Sequence, residues 1–137
     1  MKQAQHFPLL TIIALTIFLA VSCKKKHNHD DDPAKAIITI NSPIDAHEYN
    51  KGDTVWMQGS ITAPSDMHGF ELKLTRLADD STMLSKGDHG HNSSYTFKEY
   101  IVNDGSVHSD FRFEVTAIVD HSGTTVTKSV NFHCHTH

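Results

Sequence analysis

From Ala36 onward, apolar residues recur at every second position, and this period confines the chain to β-structure. Ile38 and Ile40 begin the pattern in Ala36–Ile40. In Thr54–Thr62, Val55, Met57, Gly59 and Ile61 share one face, with Trp56 on the other. Phe70, Leu72 and Leu74 alternate with Glu71, Lys73 and Thr75 in Gly69–Arg76, and a shorter run covers Thr82–Ser85. In Ser94–Tyr100, Tyr95, Phe97 and Glu99 alternate with Thr96, Lys98 and Tyr100, which leaves the inward set open. Phe111, Phe113, Val115, Ala117 and Val119 mark Asp110–Val119. Val126, Val130, Phe132 and Cys134 mark Thr124–His135, with Lys128 as the exception. No segment carries the 3.6-residue period of an amphipathic helix. Turn formers separate the runs: Asn50–Asp53, Ala63–Asp66, Ala78–Ser81, Lys86–Asp88, Asn103–Ser106 and Asp120–Gly123. Seven hairpin-linked strands over residues 36–137 predict one all-β domain, a seven-stranded antiparallel sandwich.

The chain begins differently. Lys2 precedes an uncharged, mostly apolar run from Phe7 to Val21, followed by Ser22-Cys23 and three lysines. This is the plan of a secretory signal, and the run falls short of the roughly 20 apolar residues of a spanning helix. Leu19-Ala20-Val21-Ser22-Cys23 resembles the lipobox of bacterial lipoproteins. The resemblance implies removal of residues 1–22 and lipid on Cys23, so that the mature protein is anchored to a membrane without crossing it.

Residues 23–35 read as a tether. Lys24-Lys25-Lys26 gives way to His27-Asn28-His29-Asp30-Asp31-Asp32, with no apolar residue until Ala34. The spacer resembles those of Gram-negative lipoproteins sent to the outer membrane, some displayed outside the cell. A solvated stalk with no address has the same composition. The phrases Tyr49–Val55 and Val119–Gly123 resemble extracellular immunoglobulin-like and fibronectin-III-like modules of bacterial surface lipoproteins. That resemblance covers Ala36 to the end of the chain and implies the sandwich fold. The Cys–Trp–Cys pattern of antibody domains is not present.

A formal net charge of −4 argues against nucleic acid as a partner. With Cys23 lipidated, Cys134 is the one remaining cysteine and forms no internal disulfide. It is a small core residue, a soft metal ligand or a free thiol.

The compositional anomaly is 12 histidines in 137 residues. Imidazole ligates transition metals and titrates near neutrality. In a sandwich of this order, three connections meet at one end. They carry His68 with Asp66, His89 and His91 with Asp88, and His121 with Asp120. These histidines are enough for a three- or four-ligand zinc or copper site, with the acids able to fix tautomers behind them. A second group is expected at the opposite end. There His133, His135 and His137 alternate, His108 lies between Asp104 and Asp110, and His47 and Glu48 come from an earlier segment. Histidines two apart on a strand point to the same face, about 7 Å apart along it, and can share one ion.

No hydrolase elbow, phosphate loop, His-Glu-X-X-His helix or paired-carboxylate motif is present in the sequence. The expectation is therefore a binding protein and not an enzyme. It would be held in the cell envelope by its lipid and would bind zinc, copper or nickel for capture, buffering or handover to a membrane transporter. The alternative is a metal-free module of a cell-surface complex that binds protein or glycan.

Overall fold

The computed structural model describes residues 36–137. The signal peptide, the lipidation site Cys23 and the tether of the sequence reading lie outside the described residues. Eight strands form: β1 (Ile37–Ser42), β2 (His47–Tyr49), β3 (Thr54–Met67), β4 (Gly69–Arg76), β5 (Ser81–Asp88), β6 (Asn92–Val102), β7 (Ser109–Ile118) and β8 (Thr125–Cys134). They make a three-stranded sheet, β1-β3-β6, and a five-stranded sheet, β2-β8-β7-β4-β5. No helix among the described residues is long and apolar enough to cross a membrane.

The two sheets bury the alternating residues against each other. Val55, Met57 and Ile61 from β3 and Phe97 from β6 meet Leu72 and Leu74 from β4, Phe113 and Val115 from β7, and Phe132 from β8. Each such side chain contributes about 1.5–3 kcal/mol of burial free energy. The open question in β6 resolves with Tyr95 and Phe97 inward and Tyr100 outward. Lys128, the exception in β8, closes the edge between the sheets: its Nζ donates to the carbonyl oxygen of Ile38 at 3.2 Å.

Two expectations need correction. The sandwich has eight strands and not seven, and it is not wholly antiparallel. β2 pairs with β8 in parallel, with His47 opposite Phe132, Glu48 opposite His133 and Tyr49 opposite Cys134. After β1 the chain passes Pro43 and crosses to the other sheet, where Asp45 and Ala46 dock on β8. The Ala46 N–H donates to the Asn131 carbonyl at 2.8 Å, and Asp45 Oδ1 accepts the Asn131 N–H at 2.9 Å. A three-residue strand has too few positions to show a period of two, which is why His47–Tyr49 was not legible.

Two expected turns also need correction: Lys86–Asp88 is the end of β5, and Ala63–Asp66 lies within β3. β3 continues to Met67. The four residues form an excursion in the β3–β6 ladder, whose register breaks between Thr62↔Ser94 and Met67↔Asn92. Pro64, without an N–H, suits a place where the ladder is interrupted. Cys134 is a core residue, 1% exposed, and burial pushes its thiol up to about 11. It faces away from the neighbouring histidines.

Candidate metal centres

At one end of the sandwich, β3 turns into β4 through the single residue His68. Gly69 makes that corner possible. Its φ is +132°, a conformation that L side chains rarely adopt, and a Cβ there would run into the carbonyl oxygen of Asp88. The start of β4 therefore lies directly against the end of β5, where His89-Gly90-His91 crosses to β6. The His68 N–H donates to the Ile118 carbonyl at 2.7 Å, tying the same corner to the end of β7 and to the loop that holds His121.

Three imidazoles converge here, with the ring of His121 packed against that of His68. The ring centre of His68 lies 5.7 Å from that of His89, 4.6 Å from His91 and 3.5 Å from His121. The rings of His89 and His91 are 6.1 Å apart, and those of His91 and His121 5.8 Å. One ring nitrogen from each of His68, His89 and His91 falls within 4.8 Å of the others. His68 is held below the ordinary histidine range by partial desolvation and by the three neighbouring rings, so the ligand-competent neutral form is favoured.

The acids expected behind these rings do not serve them. Asp120 Oδ1 accepts the backbone N–H groups of Ser122 and Thr124, both at 2.9 Å, and the Ser122 hydroxyl at 2.7 Å. These bonds hold its carboxyl well below the usual carboxylate range. Among the described residues, no carboxylate hydrogen-bonds the rings of this group.

The opposite end is built differently. His133 on β8 stands between Glu48 on β2 and Asp110 on β7 in the strand registers. His133 Nδ1 lies 2.7 Å from Asp110 Oδ1, so this nitrogen carries the proton and donates it. The other nitrogen, Nε2, is left with its lone pair and faces His108 Nε2 at 3.2 Å. Two nitrogens about 2.0–2.1 Å from a tetrahedral zinc stand about 3.3 Å apart.

His135 repeats the arrangement with its nitrogens exchanged. Its Nε2 donates to Glu48 Oε2 at 3.0 Å. Its Nδ1 is buried and has no hydrogen-bond partner. A buried nitrogen with no partner is costly unless a ligand takes it. Ring nitrogens of His108, His133 and His135 fall within 4.8 Å of one another. The imidazole of His135 also holds the Glu48 carboxyl below its usual range. A groove of about 380 Å³ beside His133 is lined by Asp45, Glu48 and Asp110, which gives a cation an acidic approach.

His137 does not join this trio. The strand ends at Cys134, and the exposed ring of His137 lies 5.6 Å from that of His135. His47 packs edge-on against Tyr49 at 4.6 Å and is not among the three residues whose ring nitrogens come together.

Asn103 is the positioning residue that sequence reasoning missed. It is 6% exposed, and its Nδ2 donates to the carbonyls of Tyr49 at 3.2 Å and His135 at 2.8 Å. It was legible only as the first residue of a turn-forming run. Its fixed amide sets the backbone that carries His135.

No protein-family model matches the sequence, and no curated protein matches it. Among solved structures, the chain is similar to wild-type OgpA from Akkermansia muciniphila at 17% identity and a TM-score of 0.51. The match covers 73% of this chain and 27% of OgpA, so this chain spans about a quarter of that protein. A fibronectin(III)-like module of Clostridium thermocellum CbhA aligns at 11% identity and a TM-score of 0.48, over 74% of this chain and 98% of the module. The sheet order makes the fold a two-sheet β-sandwich, and the likeness to OgpA is one of fold.

Proposed function

We propose that this protein is a lipid-anchored, extracytoplasmic binding protein that takes a transition metal ion (zinc, copper or nickel) for capture, buffering or handover. One observation carries the reading. In the His108–His133–His135 trio, two histidines each give one nitrogen to a carboxylate; the other nitrogen of His133 meets His108 Nε2 at 3.2 Å, and that of His135 is buried without a partner. A carboxylate behind a histidine fixes its tautomer and raises its basicity toward a metal. The reading is that of a binder and not an enzyme. Its setting would be the cell envelope, on the outer membrane at the periplasmic face or the cell surface, with Cys23 as the anchor. A membrane metal transporter or a cell-surface complex is the partner class this suggests.

The test is calorimetric titration of the tag-free protein with zinc, copper and nickel against a competing chelator. At about pH 7.5 a tight equivalent is expected, and it should weaken below about pH 6 as the imidazoles protonate. Weak, unsaturable uptake that does not change with pH overturns the reading.

A second reading is favoured by a separate feature. On the outer face of the three-stranded sheet, Trp56 and Tyr100 are 38% and 59% exposed, with ring centres 5.1 Å apart. Exposed aromatic pairs suit a metal-free surface module that binds protein or glycan. Loss of partner capture in Trp56→Ala, with metal uptake unchanged, would favour it.

A further inference from the structure

The two histidine groups differ in what stands behind the rings, and this difference separates them chemically. At the His108–His133–His135 end, Asp110 and Glu48 fix two rings, and the 3.2 Å spacing of facing nitrogens matches an edge of a tetrahedral zinc site. At the loop end nothing comparable constrains the rings. Asp120 is committed to its own turn, and the imidazoles of His68, His89, His91 and His121 sit at the tips of three connections with ring centres between 3.5 and 6.1 Å apart.

For nitrogen ligands that impose no geometry, affinity follows the intrinsic order of the divalent ions, which peaks at copper(II). Copper(II) also accepts imidazole nitrogens in a tetragonal arrangement, and here His89 and His91 are exposed while His68 is half-buried. A tetrahedral preference for zinc must instead be built in, as it is at the opposite end.

We propose that His68, His89 and His91, with His121 alongside, form a second and separate site, selective for copper(II), while the His108–His133–His135 site takes zinc. The proposal rests on the metal-binding reading for its premise that these histidines ligate, but on a different set of residues. The copper site lies at the end where β1 begins, since Ile37 pairs with Thr62 beside the β3–β4 corner. The zinc site lies at the far end.

The experiment uses the tag-free full chain, given one equivalent of zinc and then one of copper(II). Electron paramagnetic resonance reads the copper ligands. The expected result is a tetragonal copper signal with nitrogen hyperfine structure that survives an approximately tenfold excess of zinc, survives His133→Ala, and is lost in His89→Ala/His91→Ala. Paramagnetic broadening in the unaltered protein gives a readout that needs no variant: amide signals around His68, His89 and His121 should vanish while those around His108 and His133 persist. Copper that follows His133 instead, or that zinc displaces from the loop end, overturns the proposal. Zinc retained at His108–His133–His135 with no copper at the loop end overturns this proposal alone. If neither end retains a metal, the proposed function falls with it.

Discussion

Glu48 and His135 stand 87 positions apart in the chain, yet their side chains meet at 3.0 Å, carboxylate oxygen to ring Nε2. The contact exists because β2 lies parallel to β8 and carries its own acid to the edge of the histidine trio. Replacing Glu48 by Gln keeps an acceptor for the ring but removes the charge behind it. Affinity at this end should fall by about 10- to 100-fold, the usual cost of losing such a partner. Stability without metal should stay within about 0.5 kcal/mol, as for other exposed substitutions. Competition titration and urea denaturation measure the two quantities separately.

His133→Ala removes the nitrogen that faces His108 and should abolish the zinc equivalent of that end. His137→Ala should leave zinc affinity unchanged, since that ring lies outside the trio. In the unaltered protein, zinc at about 100 times its dissociation constant should add about 2.7 kcal/mol of stability. A thermal shift with zinc that disappears in His133→Ala and persists in His137→Ala is the expected pattern.

Asn103→Ala removes the side-chain donor to the His135 carbonyl and leaves the Tyr49 carbonyl only the His135 N–H at 2.9 Å. A buried group stripped of its partner costs about 1–3 kcal/mol. Chemical denaturation should show that loss, and zinc affinity should drop with it because the backbone carrying His135 loosens.

Gly69→Ala places a Cβ against the Asp88 carbonyl at a backbone conformation that favours glycine. The strain is worth about 1–3 kcal/mol. The β3–β4 corner should move away from β5 and separate His68 from His89, so copper binding should weaken while zinc binding holds. Parallel titrations of the two metals decide this.

Asp79 and Asp120 are both held well below the usual carboxylate range, Asp79 by the Arg76 guanidinium and the Ser81 hydroxyl, Asp120 by Ser122 and Thr124. A depressed carboxyl contributes stability that is present above its unfolded value and lost as pH falls toward its folded value. The melting temperature of the metal-free protein should therefore decline from about pH 4 downward. Asp120→Asn, which keeps an acceptor in the turn but cannot titrate, should flatten part of that decline.

The alternation of Phe70, Leu72 and Leu74 located β4 from Gly69 to Arg76, because a strand buried on one face writes its period directly into the sequence. The gathering of His68, His89, His91 and His121 followed from the order of the strands alone, since connections in a sandwich cluster by topology. What sequence did not disclose depends on contacts between distant segments. β2 has no period to read, and its parallel docking on β8 pairs Glu48 with His135. The run His133-Cys134-His135-Thr136-His137 read as an alternating face could not show that the strand stops at Cys134 and leaves His137 aside. Asn103 carries the same turn signal as any other Asn before Asp-Gly; only the two carbonyls it meets give it a role.

Cys134 sits between His133 and His135 in the chain, but its sulfur lies in the core, and its thiol is raised to about 11. A thiolate is the form that oxidants and redox-active ions attack. Turned inward and kept protonated, this sulfur is poorly placed for such attack, even though the imidazoles of His133 and His135 flank it in the chain. Burial thus shields the one free thiol among the described residues without any disulfide partner.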